Sequence, residues 1–217
     1  MKNLHYCFAS LLILLSTTLA QTAPKPDPSA FACGATSFTP LDDSYGQTVV
    51  SSPDQKKHIS LNKDGSFGIF VGQKQIGSLT YDVSADVEAG WSPNSTQFFI
   101  MYSDSGSIGG FHAHLFGIQQ GEKIAENRMT QIAFDDFKQQ HYCLTRGNNL
   151  FFLAWTNDSR RVFLVSEVFP TSDCGKEMSR FGGYLMDVDS ARIIRRYSEA
   201  ETTTIEKSCR ASGKLRL

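Results

Sequence analysis

Three stretches of this chain follow one plan, and that recurrence limits its fold more than any other feature. Residues 52–61 (SPDQKKHISL), 92–101 (SPNSTQFFIM) and 156–165 (TNDSRRVFLV) each read as a tight turn leading into an apolar strand. Trp91 and Trp155 stand before the second and third turns, where the first copy has Ser51. After a variable loop each copy supplies a further strand, at 67–71, 111–118 and 183–188. A polar turn and a short apolar return follow at 72–76, 120–124 and 189–193. The unit is therefore a four-stranded antiparallel meander. Runs such as Phe98-Phe99-Ile100-Met101 and Val162-Phe163-Leu164-Val165 are apolar on both faces, as expected of a sheet held between other sheets.

The Ser-Pro-Asp/Asn turn, the basic or polar step into the strand and the later Met186-Asp187-Val188-Asp189 turn resemble the blade repeat of TolB-like, WD40-like β-propellers over residues 49–194. The resemblance implies an all-β fold: a β-propeller-like array of four-stranded antiparallel meanders with three visible repeats. It departs from the pattern at three points. The glycine that usually closes the turn is replaced by Gln55, Ser95 and Ser159, the third copy has no proline, and three blades are fewer than a propeller normally has. Either the ends, 31–50 and 197–217, combine into a fourth blade, or the meanders form an open array that pairs with another copy. Closure or near closure is the expectation, because an open apolar edge invites aggregation.

Residues 1–20 carry Lys2, an apolar core around residues 11–15 and small residues before position 21, the pattern of an export signal cleaved after Ala20. The apolar run is too short to span a bilayer, so no membrane insertion is expected once the leader is gone. Residues 21–30 form a Pro-rich linker with Pro24, Pro26 and Pro28, and 31–217 a single all-β repeat domain. Losing Lys2 leaves 20 of the 21 basic residues against 22 acidic ones, a net charge of −2. A surface so close to neutral argues against nucleic acid as a partner.

Cys7 leaves with the leader, and Cys33, Cys143, Cys174 and Cys209 remain. An even count in an oxidising compartment reads as two disulfides with three possible connectivities. In a four-stranded blade Cys143 and Cys174 fall at the same end, which gives Cys143–Cys174 and, by elimination, Cys33–Cys209 joining the termini. The expected address is periplasmic or secreted.

His112 and His114 are the most suggestive side chains, since residues two apart on a strand point the same way and can share a ligand. Asp104 in the adjoining glycine-rich loop, or His58 in the first copy, is the candidate third partner. That loop, 103–110, lacks the Gly-Lys-Ser/Thr ending of a phosphate cradle and leads into a strand. No Gly-x-Ser-x-Gly nucleophile motif occurs. Loops 103–110 and 167–182 are the expected contact surface, with Asp104, His112, His114 and Glu167 as candidate binding residues. The reading is an exported, non-enzymatic binding module for a protein or small ligand, without cofactor or resident metal. The alternatives are a metal-assisted hydrolase using His112 and His114, and a structural envelope protein that self-associates, for instance as a homodimer.

Overall fold

A computed structural model describes residues 27–33, 39–40, 49–62, 64–81, 85–104, 110–120, 122–141, 143 and 148–211. The leader (1–20), residues 21–26 of the linker, and residues 105–109 of the glycine-rich loop lie outside the described residues. So do 34–38, 41–48 and 212–217 of the ends expected to form a fourth blade.

After a two-residue strand, β1 (Thr39–Pro40), the three copies form three separate antiparallel sheets. Sheet 1 holds β2 (Val49–Ser51), β3 (Lys57–Leu61), β4 (Ser66–Val71) and β5 (Lys74–Thr80) in chain order. Sheet 2 holds β6 (Ala85–Trp91), β7 (Gln97–Ser103), β8 (Phe111–Gln119) and β9 (Lys123–Asn127), with β1 added beside β6. Sheet 3 holds β10 (Asn148–Trp155), β11 (Arg161–Val168), β12 (Phe181–Asp187) and β13 (Arg192–Tyr197).

The turns are built alike in all three. The N–H groups of Lys57, Gln97 and Arg161 each donate to the hydroxyl of Ser52, Ser92 or Thr156 at 3.0 Å. Oδ1 of Asp54, Asn94 or Asp158 accepts the N–H two residues on. The residues standing where a glycine was missing, Gln55, Ser95 and Ser159, adopt φ of 58°, 60° and 59°.

Sheet 2 is the middle layer, and strand alternation divides its side chains between two cores. Phe98, Ile100 and Phe116 join Val50, Ile59, Phe67 and Ile69 of sheet 1. Phe99, Met101 and Leu115 join Leu150, Phe152 and Leu164 of sheet 3, with the Phe99 and Phe152 rings stacked at 4.0 Å. The doubly apolar runs are thus sheets covered on both sides.

The propeller expectation is overturned: the three sheets stay separate and close into no ring. Both ends of the stack are finished in other ways. The far face of sheet 3, with Leu153, Phe163 and Leu185, is covered by Phe31 and by a helix, α2 (Glu199–Ala211), through Ile205 and Cys209. Gly183 permits this approach, since a Cβ there would sit 2.4 Å from the Phe163 ring and 2.7 Å from Thr202 Oγ1. The far face of sheet 1 carries Ser51, His58, Ser60 and Phe70. Phe70 lies flat on His58, with ring centroids 4.6 Å apart, and over Gly68. A largely polar outer face is what a terminal layer needs in water.

Residues 199–211, expected to help build a fourth blade, are helical for local reasons. Ser198 and Glu201 form a capping box: the Ser198 N–H donates to Glu201 Oε2 at 2.9 Å and the Glu201 N–H to Ser198 Oγ at 3.4 Å. Thr202, Ile205 and Cys209 repeat at helical spacing and are all fully buried. A second helix, α1 (Met129–Gln140), interrupts the all-β expectation between sheets 2 and 3. It buries Met129, Ala133 and Phe137 in the shared core, while Asp136 receives the Arg196 guanidinium of β13, Nε to Oδ2 being 2.8 Å.

The disulfides are Cys33–Cys209, which fixes α2 to the segment after the linker, and Cys143–Cys174. This is the pairing drawn from the sequence. Two bridges are consistent with an oxidising, extracytoplasmic environment. No helix among the described residues is long and apolar enough to cross a membrane.

Candidate functional site

β9 is shorter than β8 and pairs only with its second half, from Leu115↔Asn127 to Gln119↔Lys123. At Arg128 the chain takes helical dihedrals, φ −73° and ψ −1°, and leaves the sheet as α1. The first residues of β8 therefore run past the end of β9 and border an open groove of about 360 Å³. Ala113 and His114 line one side, Glu126 and Arg128 one end, and Gln131 and Phe134 of α1 the opposite wall.

His112 and His114 share the sheet 1 side of β8, as their spacing requires. The structure gives each its own carboxylate. His114 Nδ1 lies 2.7 Å from Glu126 Oε1, and His112 Nε2 lies 3.2 Å from Asp104 Oδ2. An ionised carboxylate only accepts, so each imidazole donates at the nitrogen facing it. Asp104 is anchored in turn by the Gly110 N–H at 2.9 Å.

Tyr81, at the end of sheet 1, completes an aromatic stack. Its ring lies 4.6 Å from that of His114 and 5.0 Å from that of Tyr102. Burial holds the Tyr81 phenol above its ordinary pKa, and the charge of Glu126 and the Tyr102 phenol push the same way. Its hydroxyl thus stays neutral, available to donate a hydrogen bond.

His58, named as a possible third partner of the pair, lies on the outer face of sheet 1 against Phe70. Among the described residues no group of three or more His, Cys, Asp or Glu is placed to share a metal ion. Glu167 is not in a loop: it belongs to β11, opposite Asn149 and Phe181. Burial raises its carboxyl above the usual range and the Glu206 charge adds to this, against the lowering effect of the Asn149 amide.

Asn149 is the link that residue-by-residue reading missed. Its Nδ2 donates to Glu167 Oε2 and its Oδ1 accepts the Phe111 N–H, both at 3.0 Å. Glu167 is thereby tied to the start of β8 through a buried amide and makes no direct contact with the histidines. Glu126, Tyr81 and Arg128 also carried no signal, because register and the exit of α1 bring them here. Only the amide character of Asn149 inside an apolar strand could have drawn attention to it.

Fold and site together define a three-sheet stack with a polar, aromatic groove beside its middle layer. Compared with known proteins, the chain matches no family model and no curated protein.

Proposed function

We propose that this chain is an exported binding module without catalytic chemistry of its own, periplasmic or secreted, which takes a protein or small ligand in the groove beside β8. One observation carries the reading: the groove lies where β8 outruns β9, and its histidines are already held by carboxylates. His114 is held by Glu126, and nearby His112 by Asp104. Groups preset in this way lose little freedom on meeting a ligand, which favours recognition. A volume of about 360 Å³ falls in the usual range of ligand sites. The two disulfides support a working place outside the cytoplasm.

The test is capture from the native source by immobilised protein. Gln131→Trp on the exposed wall of α1 should fill the groove and abolish capture, and His58→Ala on the outer face of sheet 1 should leave it intact. Equal capture by both variants would remove the groove from consideration.

A further inference from the structure

Hydrogen-bond direction alternates along β8. The Ile118 N–H donates to Thr96 O at 3.0 Å and the Asp104 N–H to Gly110 O at 3.2 Å. Even-numbered residues of this strand therefore turn their main-chain groups toward β7, and odd-numbered ones toward the opposite edge. On that edge Leu115, Gly117 and Gln119 meet β9. The Phe111 N–H is taken by Asn149 Oδ1.

Ala113 lies between them. The residue that would oppose it stands two beyond Asn127, and by then the chain has turned away into α1. The N–H and C=O of Ala113 have no partner among the described residues, although Ala113 is only 4% exposed. A buried peptide group left in that state is costly. The groove opens directly beside it.

We infer that the groove recognises polypeptide main chain: one residue of an extended segment from a partner protein lies opposite Ala113 and exchanges two hydrogen bonds with it, adding a short strand to sheet 2. This rests on the binding-module reading above and names its ligand class. Residues opposite each other across a ladder share a face. The side chain opposite Ala113 therefore points between sheets 2 and 3, toward Phe134 and Leu150, and is apolar. Its neighbour faces His112 and is polar. Arg128 limits the site at one end and the Asn149 amide at the other, so the partner offers a tail or a protruding loop, not a long strand. Strand addition of this kind draws affinity from main-chain bonds and selectivity from alternate side chains.

The experiment uses the disulfide-bonded chain and phage-displayed linear heptapeptides selected on it. In the free protein the Ala113 amide should exchange with solvent much faster than that of Leu115. A synthetic copy of an enriched peptide should slow Ala113 exchange at least about tenfold. N-methylation of one peptide amide should weaken binding about tenfold, and Gln131→Trp should abolish it. Protection of Ala113 equal to that of Leu115 without peptide overturns the inference, as does binding indifferent to N-methylation at every position. If no peptide is enriched while groove-dependent capture from the native source persists, the ligand is not main chain and the binding-module reading survives alone.

Discussion

The backbone N–H of Asn94 donates to Ser159 Oγ at 3.0 Å, joining the turn of sheet 2 to the turn of sheet 3. One layer earlier the Asp54 N–H donates to Ser95 Oγ at the same distance. This relation explains why serine stands where the repeat would ordinarily have glycine. Ser95 and Ser159 sit at left-handed φ, and both are buried between layers where the hydroxyl is needed. Gln55 holds the same backbone position in sheet 1, where among the described residues no preceding layer requires a hydroxyl, and it is exposed.

Substitutions at these positions should separate strain from hydrogen bonding. Ser159→Ala keeps the left-handed strain and loses the bond, and should destabilise by about 1–2 kcal/mol. Ser159→Gly loses the bond but relieves the strain, so the two effects should offset to within about 0.5 kcal/mol. Gln55→Gly relieves the same strain and gives up only the side-chain bond from Gln55 Nε2 to Ser52 O at 3.2 Å, so it should be neutral to stabilising, by up to about 0.5 kcal/mol. Denaturant unfolding measures all three, and a stabilising Ser159→Ala would contradict the account.

The two tryptophans before the turns differ in one bond. Trp91 Nε1 donates to the Val50 carbonyl at 3.0 Å, whereas Trp155 Nε1 is buried without an acceptor among the described residues. Phenylalanine at either site leaves a cavity, but Trp91→Phe also gives up that bond, while Trp155→Phe removes a buried donor that has none among the described residues. Trp91→Phe should therefore cost about 1–3 kcal/mol more than Trp155→Phe in the same unfolding experiment.

What could be read in the sequence was local. The turns are specified by residues within six positions of one another, and period-two spacing put His112 and His114 on one face. The partners of those histidines were not legible: Glu126 reaches His114 because it lies opposite Phe116, which sets it diagonally across the ladder. Ring closure failed as an expectation because it turns on the outer faces of the end layers. The polar Ser51, His58 and Ser60 of sheet 1 signal a terminal face, and the Thr202, Ile205 and Cys209 spacing signals a helix. Both become decisive only when it is known which sheet each one faces. Glu167 reads as loop in the sequence because β11 runs on to Val168, past the apolar run that marks the strand.

Turn carboxylates should give the fold an acid limit. Burial pushes the Asp54 carboxyl up, but the Ser52 hydroxyl, the Lys56 N–H and Lys57 outweigh it and hold the group at about 2. The Thr156 hydroxyl and the Arg160 N–H likewise lower Asp158, and Arg196 lowers Asp136. Depressed folded values mean that this stabilisation is present above the unfolded carboxylate value of about 4 and is lost as pH falls toward 2. Asn94 fills the same place in sheet 2 without charge, so Asp54→Asn should keep the turn. Its stability should lie below that of the parent at neutral pH and meet it near pH 2. Parallel curves across that range would show that Asp54 contributes nothing through its charge.

The two disulfides should not be equal. Cys33–Cys209 spans 176 residues and Cys143–Cys174 spans 31. Chain entropy assigns about 5 kcal/mol to the first and about 4 kcal/mol to the second. Replacing Cys33 and Cys209 with serine should also loosen α2 from Phe163 and Leu185, so limited proteolysis should cut within 199–211 before any other element. Earlier cleavage within β10–β13 would mean that α2 holds its place without the bridge.

The proline missing from the third turn has a use for its absence. Pro53 and Pro93 occupy the second turn position in the first two copies, and Asn157 takes it in the third. The Asn157 N–H, which proline lacks, donates to Ala30 O at 3.1 Å, and its Nδ2 donates to Ser29 O at 2.9 Å. The same segment continues into Ala32, whose N–H donates to Trp155 O at 2.7 Å, and then into the Cys33 bridge. Asn157→Pro suits the turn, as the other copies show, but removes both bonds to the incoming segment. It should cost about 1–2 kcal/mol and speed hydrogen exchange at Ala32. Asn157→Ala retains the N–H and should cost about half as much. Pro53→Asn, in a copy that no such segment reaches among the described residues, should lose only about 0.5 kcal/mol through the freer unfolded chain. If Asn157→Pro matched the parent in both stability and Ala32 exchange, the segment would be held by the disulfide and the Ala32 bond alone, and the departure from the repeat would have no structural cause.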